Sequence, residues 1–396
     1  MVTKLETPAP LRGDRPTADA PAWSVECYDN FDDVRAIWSD LFVDAPASPY
    51  QSFPFVSLWF ETVGRAELLE PAIAVGRAGN GQPAALLPLA VDRRGPLRIL
   101  TFLCGRESNF NLGLYSPEAR LDEAALRAIL LRSAAARGAD IVYLRNQPRR
   151  LDGVENPLAF ACAAPSPSFA YCLALPDDPA ALDARASKET RKKLRKKEQR
   201  LAALGEIRYE HAVTGARAVE IVQALVAQKV ERFRRMGVSS AFDDPAMRTF
   251  LERSCDEGAM EAHALSVSGR VVAAYAGLGH RGRFSAMVNS FDLLDEEVAR
   301  CSPGDLLLRA VLCNLIERGF SRFDLGAGEA RYKDAVCDET IELCDLVLAA
   351  NWKGVLAAPM LAAFLKAKRW IKQTPALARA ATGARTLLRG DGAGAR

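Results

Sequence analysis

Residues 323–333 read FDLGAGEARYK, a strand-like run that breaks into glycines and then into an Arg-Tyr-Lys triplet. The run follows SPGD at residues 302–305 and a helical pattern, so two turns of small residues lie within about one βαβ unit. Turns of this kind at a helix start can present backbone N–H groups to an anion, and Tyr and Lys can carry out acid–base chemistry. No other stretch concentrates reactive groups to this degree, so we predict a functional site here.

Length and composition point to two globular domains. A chain of 396 residues is too long for one ordinary hydrophobic core. Hydrophobic residues make up 49% and charged residues 26%, as in soluble globular proteins. The net charge of +3 is close to neutral for this length, so DNA is not an expected partner.

Cysteine and histidine usage argues against disulfides and against a metal centre. The nine cysteines form no C-x-x-C pair, as expected of reduced, buried thiols in the cytoplasm. Cys301 is the best candidate for a nucleophile, but a small buried side chain is the favoured interpretation. The three histidines, His211, His263 and His280, lie on separate strand-like segments without metal-ligand spacing, so no metal site is predicted.

The two halves of the chain repeat one order of elements. From Trp23 and again from Ile207, hydrophobic periodicity reads β-α-α-β-β-β-α-β-β. This order predicts a duplicated α/β (α+β) fold, with mixed-sheet domains over residues 22–180 and 206–350. Residues 1–21 are polar and proline-rich without an apolar core segment, so we expect a disordered tail and neither a signal peptide nor a membrane anchor.

A strongly basic helix is predicted at the junction, over residues 181–205. Residues 183–200 contain nine basic and three acidic side chains, a local charge of +6. The segment is interpreted either as a solvated linker helix or as a phosphate-facing wall of an inter-domain cleft, or else as a platform for an acidic protein or an anionic membrane.

A helical tail is predicted over residues 351–396. It begins near Trp352 and Lys353 and carries further basic residues beside Trp370. Basic residues next to tryptophan can touch an anionic membrane surface. Packing of this helix on the second domain is the favoured alternative. The protein is therefore expected in the cytoplasm, with peripheral association at the inner membrane kept open.

The second half resembles a known family. The resemblance rests on NSFD at residues 289–292, SPG at 302–304 followed by three leucines, GF at 319–320, FD at 323–324, and Gly328 with Tyr332-Lys333. The element order resembles the GNAT acyltransferase fold in tandem. The motifs resemble the CelD/BcsL-type acetyltransferases, a group associated with bacterial cellulose and exopolysaccharide biosynthesis and similar in turn to Fem-type peptidyltransferases. The resemblance covers residues 22–350, with its motifs in 185–335.

The resemblance implies transfer of an acyl group from acyl-CoA, acetyl-CoA above all, to an amine or hydroxyl. Related enzymes hold the donor pyrophosphate at the start of the helix after the fourth strand, which corresponds here to Arg300, Ser302 and Gly304. The sequence departs from the family's usual loop, because Pro303 and Asp305 occupy the positions where that loop has glycines. Pro303 has no N–H to donate, and Asp305 would repel a pyrophosphate. An acyl carrier protein is therefore an alternative donor, and the basic helix would suit it.

Three residues are the catalytic candidates. Lys333 would hold a phosphate or stabilise the oxyanion, or else be a solvated lysine at a helix start. Tyr332 would protonate the leaving thiolate, or else only pack its ring. Asp292 would orient the acceptor or take its proton, or else serve as a turn residue.

The remaining candidates have supporting roles. Asn289, Glu329 and Arg331 are the candidates for binding the acceptor substrate. Asp324, inside a strand-like run, is expected to be structural and to need a partner such as an arginine.

Three functions therefore remain open at this stage. The first is direct acyl transfer, without a covalent enzyme intermediate, to a sugar, an amino acid or a cell-envelope precursor. The second is a Fem-like aminoacyl or peptidyl transfer in which the basic helix meets an RNA-borne donor. The third is a non-catalytic adaptor of a polysaccharide synthase. In each case the first domain would shape the acceptor site or be inactive.

Overall fold

The structure is a computed structural model, and it describes residues 3–5, 23–119, 121–160, 163–328, 333 and 336–374. The described chain divides into two compact units. The first unit runs to Phe169 and includes Glu342–Gln373, and the second comprises Ala170–Ile341 together with Thr374. The predicted mixed α/β class with two domains is confirmed.

The helices of the described residues have the following bounds. The α-helices are α1 (Arg35–Asp44), α2 (Phe53–Trp59), α3 (Glu123–Ala136), α4 (Pro179–Arg185), α5 (Lys188–Ala202), α6 (Ala216–Arg235), α7 (Pro245–Asp256), α8 (Glu296–Arg300), α9 (Pro303–Glu317) and α10 (Trp352–Gln373). Short 3-10 turns occur at Asp32–Val34, Pro49–Gln51 and Ala241–Asp243, and a π-helical turn at Phe60–Gly64 extends α2.

The strands fall into two groups along the chain. The strands up to residue 174 are β1 (Thr3–Leu5), β2 (Ser24–Tyr28), β3 (Glu70–Pro71), β4 (Ile73–Arg77), β5 (Pro83–Leu87), β6 (Leu89–Asp92), β7 (Ile99–Phe102), β8 (Leu114–Tyr115), β9 (Ile141–Pro148), β10 (Arg150–Leu151), β11 (Val154–Glu155), β12 (Ala164–Pro165) and β13 (Ala170–Ala174). The later strands are β14 (Ile207–Val213), β15 (Glu261–Val267), β16 (Arg270–His280), β17 (Arg283–Phe291), β18 (Arg322–Ala327), β19 (Glu339–Ile341) and β20 (Leu343–Ala349).

Side-chain caps start many of these helices. An oxygen of the preceding residue accepts a hydrogen bond from a backbone N–H of the first turn, which satisfies one of the unpaired donors there. The capping residues are Asp122, Asp178, Ser187, Asp244 and Asp295. Helix α9 differs, because the residue before it makes no such bond and has a left-handed backbone.

The first unit is built on two sheets. Their strand orders are β1-β2-β4-β5-β8 and β12-β20-β9-β7-β6-β3, and β10 and β11 form a separate hairpin. Helix α3 packs on β2, β4 and β9, burying Leu126, Ile129 and Leu130 in the core. Thr3–Leu5 pairs with β2, and the remainder of the predicted disordered tail lies outside the described residues.

The second unit contains one seven-stranded sheet in the order β14-β15-β16-β17-β18-β13-β19. Helices α6 and α9 pack directly on its central strands, and α7 packs on α6. Strand β16 is buried along most of its length, which explains its continuous apolar sequence. β17 and β18 are parallel, whereas the other neighbouring strands of this sheet are antiparallel.

The two units exchange one strand each relative to the predicted boundaries. β13 ends the first series of strands in the chain, yet it lies between β18 and β19 in the sheet of the second unit. β20 ends the second series, yet it lies between β12 and β9 in the first unit. The boundaries at 180 and 350 differ from this division, because residue pattern predicts a strand but not its neighbours.

The basic segment and the tail helix also differ from their predicted settings. Residues 181–205 form no free linker, since α4 and α5 belong to the second unit and both contact α9, with Leu201 buried. Helix α10 belongs to the first unit and packs on β20 and β9, with Leu361 and Leu365 in the contact, whereas packing on the second domain was expected. The part of the predicted tail beyond residue 374 lies outside the described residues.

Candidate active site

The candidate site lies where β17 and β18 separate. The two strands pair in parallel only from Arg283 and Arg322 to Ser285 and Asp324, while β17 continues to Phe291. The paired end is closed by a buried ion pair between Arg283 and Asp324, and Ser285 Oγ donates a hydrogen bond to Asp324 Oδ2 at 2.8 Å. The expectation that Asp324 is structural and needs an arginine partner is confirmed.

The part of β17 beyond Ser285, which is not paired with β18, carries a bulge. Ala286 and Val288 face successive residues of β16, so Met287 has no residue opposite it in that ladder. Bulges re-aim backbone and side-chain groups and are frequent beside active sites. Asn289, a predicted substrate-binding residue, lies two positions further along and is half-buried, as is Phe291. The gap between β17 and β18 beyond Ser285 and Asp324 is called the wedge. The bulge therefore places irregular backbone at the opening of this wedge.

The start of α9 lies against the end of β17. Gly304 packs on the Phe291 ring, because a Cβ at this position would be 3.3 Å from Phe291 Cδ1. Ser302 has φ of 50°, and its carbonyl accepts the N–H groups of Asp305 and Leu306. Pro303 has no N–H, so of these first-turn groups only the Gly304 N–H is left to face an anion.

The charges around this turn come from four helices, α4, α5, α8 and α9. The predicted donor-binding Arg300 is exposed at the end of α8 and pairs with Glu296 at 3.0 Å. Asp305 pairs with Lys197 of α5 at 3.3 Å. Asp183 of α4 pairs with Arg309 at 2.6 Å. The basic helix therefore contributes positive charge directly beside the acidic residue that sequence analysis identified as unfavourable for a pyrophosphate.

Three cationic side chains converge on the open wedge. Lys333 is buried, and its Nζ donates to the carbonyls of Gly326 at 3.1 Å and Ala327 at 3.3 Å, at the end of β18. Arg232 of α6 lies over the Phe291 ring, 5.7 Å from its centroid. Lys229, one turn earlier, is half-buried near the Phe242 ring.

Lys229 is electrostatically unusual. Burial, together with the charges of Arg232 and Lys333, lowers its pKa to about 8. Within the described part of the chain, neither Lys229 nor Arg232 has a carboxylate partner. These two neighbouring positive charges favour an anion, and a lysine with the pKa of Lys229 can take up a proton near neutral pH.

Lys229 and Arg232 were not predicted as site residues from the sequence. A signal was present, because the buried stripe of α6 runs through Val222, Leu225 and Val226, and Lys229 continues it. A lysine on a buried stripe either has a partner or has a function. Arg232 lies in the last turn of the same helix, where a basic residue is also explained by the helix dipole.

The other predicted residues divide into two groups. Asp292 is buried, with Arg270 on one carboxylate oxygen and the Leu294 N–H on the other at 2.8 Å, as in the turn-residue interpretation. Its catalytic role stays a prediction. Glu329, Arg331 and Tyr332 lie outside the described residues.

No activated thiol was found at Cys301. Its side chain is buried, and burial raises the pKa of the thiol above its ordinary value. Nucleophilic cysteines instead need a depressed pKa. The favoured interpretation of a small buried side chain therefore agrees with the structure.

The first unit also contains a pair of parallel strands with a cavity beside it, which corresponds in position to the wedge of the second unit. β7 and β9 are also parallel, pairing at Ile99 with Ile141 and at Leu100 with Val142. A cavity of about 200 Å³ beside them is lined by Trp59, Glu67, Arg94, Glu107 and Tyr143, among others. Burial and the charge of Glu67 raise the pKa of Glu107 to about 7. Three carboxylates and three arginines line this cavity, whereas lysine and arginine side chains lie at the wedge in the second unit.

Comparison with known proteins defines the class of the second unit. Residues 188–334 match the family model described as an acetyltransferase (GNAT) domain. This part of the second unit is therefore identified as a GNAT-type acetyltransferase domain. No curated protein sequence matches the chain.

Solved structures extend the likeness over both units. FemX is 10% identical, with a TM-score of 0.51, covering 78% of this chain and 98% of its own. A protein of unknown function from Bacteroides thetaiotaomicron is 12% identical, with a TM-score of 0.50 and coverages of 81% and 99%. A tandem GNAT protein from the clavulanic acid biosynthesis pathway is 15% identical, with a TM-score of 0.49 and coverages of 83% and 99%. At 10% and 12% identity, the similarity to FemX and to the Bacteroides thetaiotaomicron protein shows a shared fold alone.

Proposed function

We propose that the second unit transfers an acyl group, acetyl in the first instance, from an acyl-CoA donor to an amine or hydroxyl. The observation that carries this proposal is the convergence of Lys229, Arg232 and Lys333 where β17 and β18 separate, beside the start of α9. A thioester carrier with phosphate groups is the kind of anion that this arrangement would hold.

Donor binding would use the outer part of the wedge. Arg232 is exposed and lies over the ring that also contacts Gly304, so its guanidinium and the Gly304 N–H can serve the same phosphate group. Lys197 offsets the charge of Asp305. Arg300 and Ser302 would bind the same end of the donor.

Transfer would take place deeper in the wedge. The acceptor nitrogen or oxygen attacks the thioester carbonyl and gives up its proton to neutral Lys229, the carbon–sulfur bond then breaks, and the thiolate takes a proton from Tyr332. The backbone N–H at Met287 is the candidate donor to the oxyanion, with Lys333 adding positive potential. Because Cys301 is a buried thiol of raised pKa, the proposal contains no covalent enzyme intermediate.

The acceptor is proposed from the resemblance of the motifs. Asn289, Glu329 and Arg331 would bind an amino or hydroxyl group on a sugar, an amino acid or a cell-envelope precursor. The resemblance to the CelD/BcsL-type acetyltransferases favours an acceptor from cellulose or exopolysaccharide synthesis.

Calorimetric titration with acetyl-CoA tests the donor site. We expect saturable binding by the wild type and binding at least about tenfold weaker in Arg232→Met, because one charge-assisted contact is lost. Arg208→Met, an exposed arginine on β14, is the matched control and should bind like the wild type. Equal affinity in all three proteins would contradict the assignment of Arg232 to the donor site. No binding at all would contradict the proposed function and favour the non-catalytic adaptor.

A second candidate donor is an acidic carrier presented to α5. This helix bears exposed basic residues, and a cavity of about 310 Å³ between it and α9 is lined by Arg191, Arg195 and Arg309, among others. An acyl carrier protein would meet these charges, as would the RNA of a Fem-like aminoacyl donor.

Neutralising α5 separates the donors. In the variant Lys192→Gln/Lys193→Gln/Lys196→Gln, transfer from acetyl-CoA should be unchanged if CoA is the donor. Loss of transfer from acyl-loaded carrier protein, with retained affinity for acetyl-CoA, would identify the carrier. Salt-sensitive RNA binding that weakens in this variant would identify the Fem-like reaction.

A further inference from the structure

Helix α10 presents a row of large apolar side chains to solvent. Trp352, Leu356, Met360 and Phe364 follow one another at intervals of four residues, with exposed fractions of 62% to 74%. Val355 and Trp370 extend the same side. Residues four apart lie on one face of a helix, so these side chains form a continuous stripe on a helix about 33 Å long.

The opposite face of α10 is fixed to the first unit. Leu365 is buried against Ile141 and Tyr143. Arg369 donates to the carbonyl of Ser166, and Lys372 Nζ donates to Ser168 Oγ at 2.7 Å. The stripe is therefore held outward by a docked helix.

The charge on α10 is of one sign. The sequence of the helix contains five basic residues and no acidic residue. Lys353 and Lys366 are exposed, and the Lys353 ammonium lies 5.9 Å from the Trp352 ring. Exposed aromatic and aliphatic groups flanked by lysines match the boundary between lipid headgroups and acyl chains when the lipids are anionic.

We propose that α10 is a docking helix that lies in the surface of an anionic membrane, with its stripe inserted among the lipids. The length and composition of the helix fit this orientation, because no described helix is long and apolar enough to cross a bilayer. The absence of acidic side chains on α10 favours an anionic lipid surface over a second copy of the chain, which would bring two basic helices together. This inference is independent of the donor and acceptor proposed above.

Vesicle flotation with the full chain tests the proposal. We expect binding to vesicles of phosphatidylcholine and phosphatidylglycerol in equal parts, with little binding to phosphatidylcholine alone. Binding should fall at least about tenfold when salt is raised from about 0.05 M to about 0.5 M, because the charge attraction is screened. Trp352 and Trp370 should shift their fluorescence to shorter wavelength on the anionic vesicles.

Three variants separate the stripe from general surface effects. Trp352→Ser/Met360→Ser/Phe364→Ser should lose vesicle binding, and Lys353→Gln/Lys366→Gln should weaken it. Val43→Ser/Leu68→Ser/Val154→Ser removes exposed apolar side chains elsewhere in the first unit and should bind like the wild type. Thermal unfolding of each variant checks that it is folded.

Several outcomes would overturn the proposal. Vesicle binding that survives the triple serine variant on α10 would place the contact elsewhere. Failure of the wild type to bind anionic vesicles would exclude this surface as a membrane contact. A dimer in light scattering that is lost in the α10 triple variant, without vesicle binding, would assign the stripe to a second copy of the chain.

Discussion

Lys229 shows how one residue acquires chemistry from its surroundings. On an exposed helix face it would be an ordinary cation, but here it is half-buried, and Arg232 and Lys333 raise the cost of its charge. A pKa of about 8 lets the amine exist in both protonation states near neutral pH. This property suits a residue that takes up the proton of an acceptor.

Substitution of Lys229 separates charge from proton transfer. Lys229→Arg keeps the positive charge but cannot lose its proton, so kcat should fall by about 10²–10⁴-fold while the affinity for acetyl-CoA changes by less than about threefold. Steady-state kinetics and calorimetry measure the two quantities. The wild-type kcat should rise with pH through about 8, and this rise should vanish in the variant. Retained activity in Lys229→Arg would assign this residue to charge alone.

Glu107 makes a prediction about stability. Its pKa of about 7 in the fold exceeds the ordinary value of 4.5, so between these pH values the folded protein holds a proton that the unfolded chain releases. The free energy of unfolding should therefore fall as pH rises through this window, by on the order of 1–3 kcal/mol more in the wild type than in Glu107→Gln.

Urea unfolding at about pH 5 and about pH 7.5 measures this difference. Glu155→Gln, which alters an exposed glutamate in the same unit, should show the wild-type dependence on pH. Parallel pH dependences in the wild type and Glu107→Gln would show that Glu107 titrates normally.

Among the elements, the pair β17 and β18 positions the site. Three residue pairs join the strands, and the buried ion pair Arg283–Asp324 lies at that paired end. These contacts fix the point at which the two strands separate. Sequence pattern predicted both strands and the structural role of Asp324. It could not predict the length of the pairing, since strand periodicity is the same on paired and unpaired residues.

Removal of one partner of the ion pair should be costly. Asp324→Ala leaves the Arg283 guanidinium buried without its carboxylate, and we expect a loss of about 3–5 kcal/mol in the free energy of unfolding. Denaturant titration gives the value. The double variant Arg283→Met/Asp324→Leu should recover most of the loss, because it removes both charges together. A loss below about 1 kcal/mol in the single variant would show that the pair is not buried as described.

For the basic helix α5, the sequence predicted that a helix forms but not which parts of the fold it contacts. Its composition predicted a helix with charge on its outer face, and Ser187 caps it through a hydrogen bond from the Thr190 N–H at 3.1 Å. Its contact with α9 includes the ion pair Lys197–Asp305, which joins residues far apart in the chain. Local pattern carries no information on such contacts.

At the scale of the whole molecule, the exchanged strands decide where the chain can be divided. A fragment of residues 170–341 keeps all seven strands of the second sheet, and it should unfold cooperatively and run as a compact species. A fragment of residues 206–350, the predicted second domain, lacks β13 and carries β20 without its neighbours. We expect that fragment to aggregate, since the edge of β18 is left unpaired.

Circular dichroism during heating, together with size-exclusion chromatography, distinguishes the two fragments. A fragment of residues 180–350 has nearly the same length as the 170–341 fragment but still lacks β13. It should therefore aggregate as well. Cooperative unfolding of 206–350 would contradict the exchanged topology.

Local periodicity and backbone preferences were enough to predict the order of helices and strands, the repeat of that order in the two halves, and the small-residue turns near Ser302 and Gly328. Contacts between distant parts of the chain determine which sheets contain β13 and β20, that Lys229 and Arg232 lie near Lys333, and that α10 exposes an apolar stripe. The reason is physical: hydrogen bonds between strands are made by the backbone, which is the same for every residue, and proximity across the fold depends on contacts that no local pattern records.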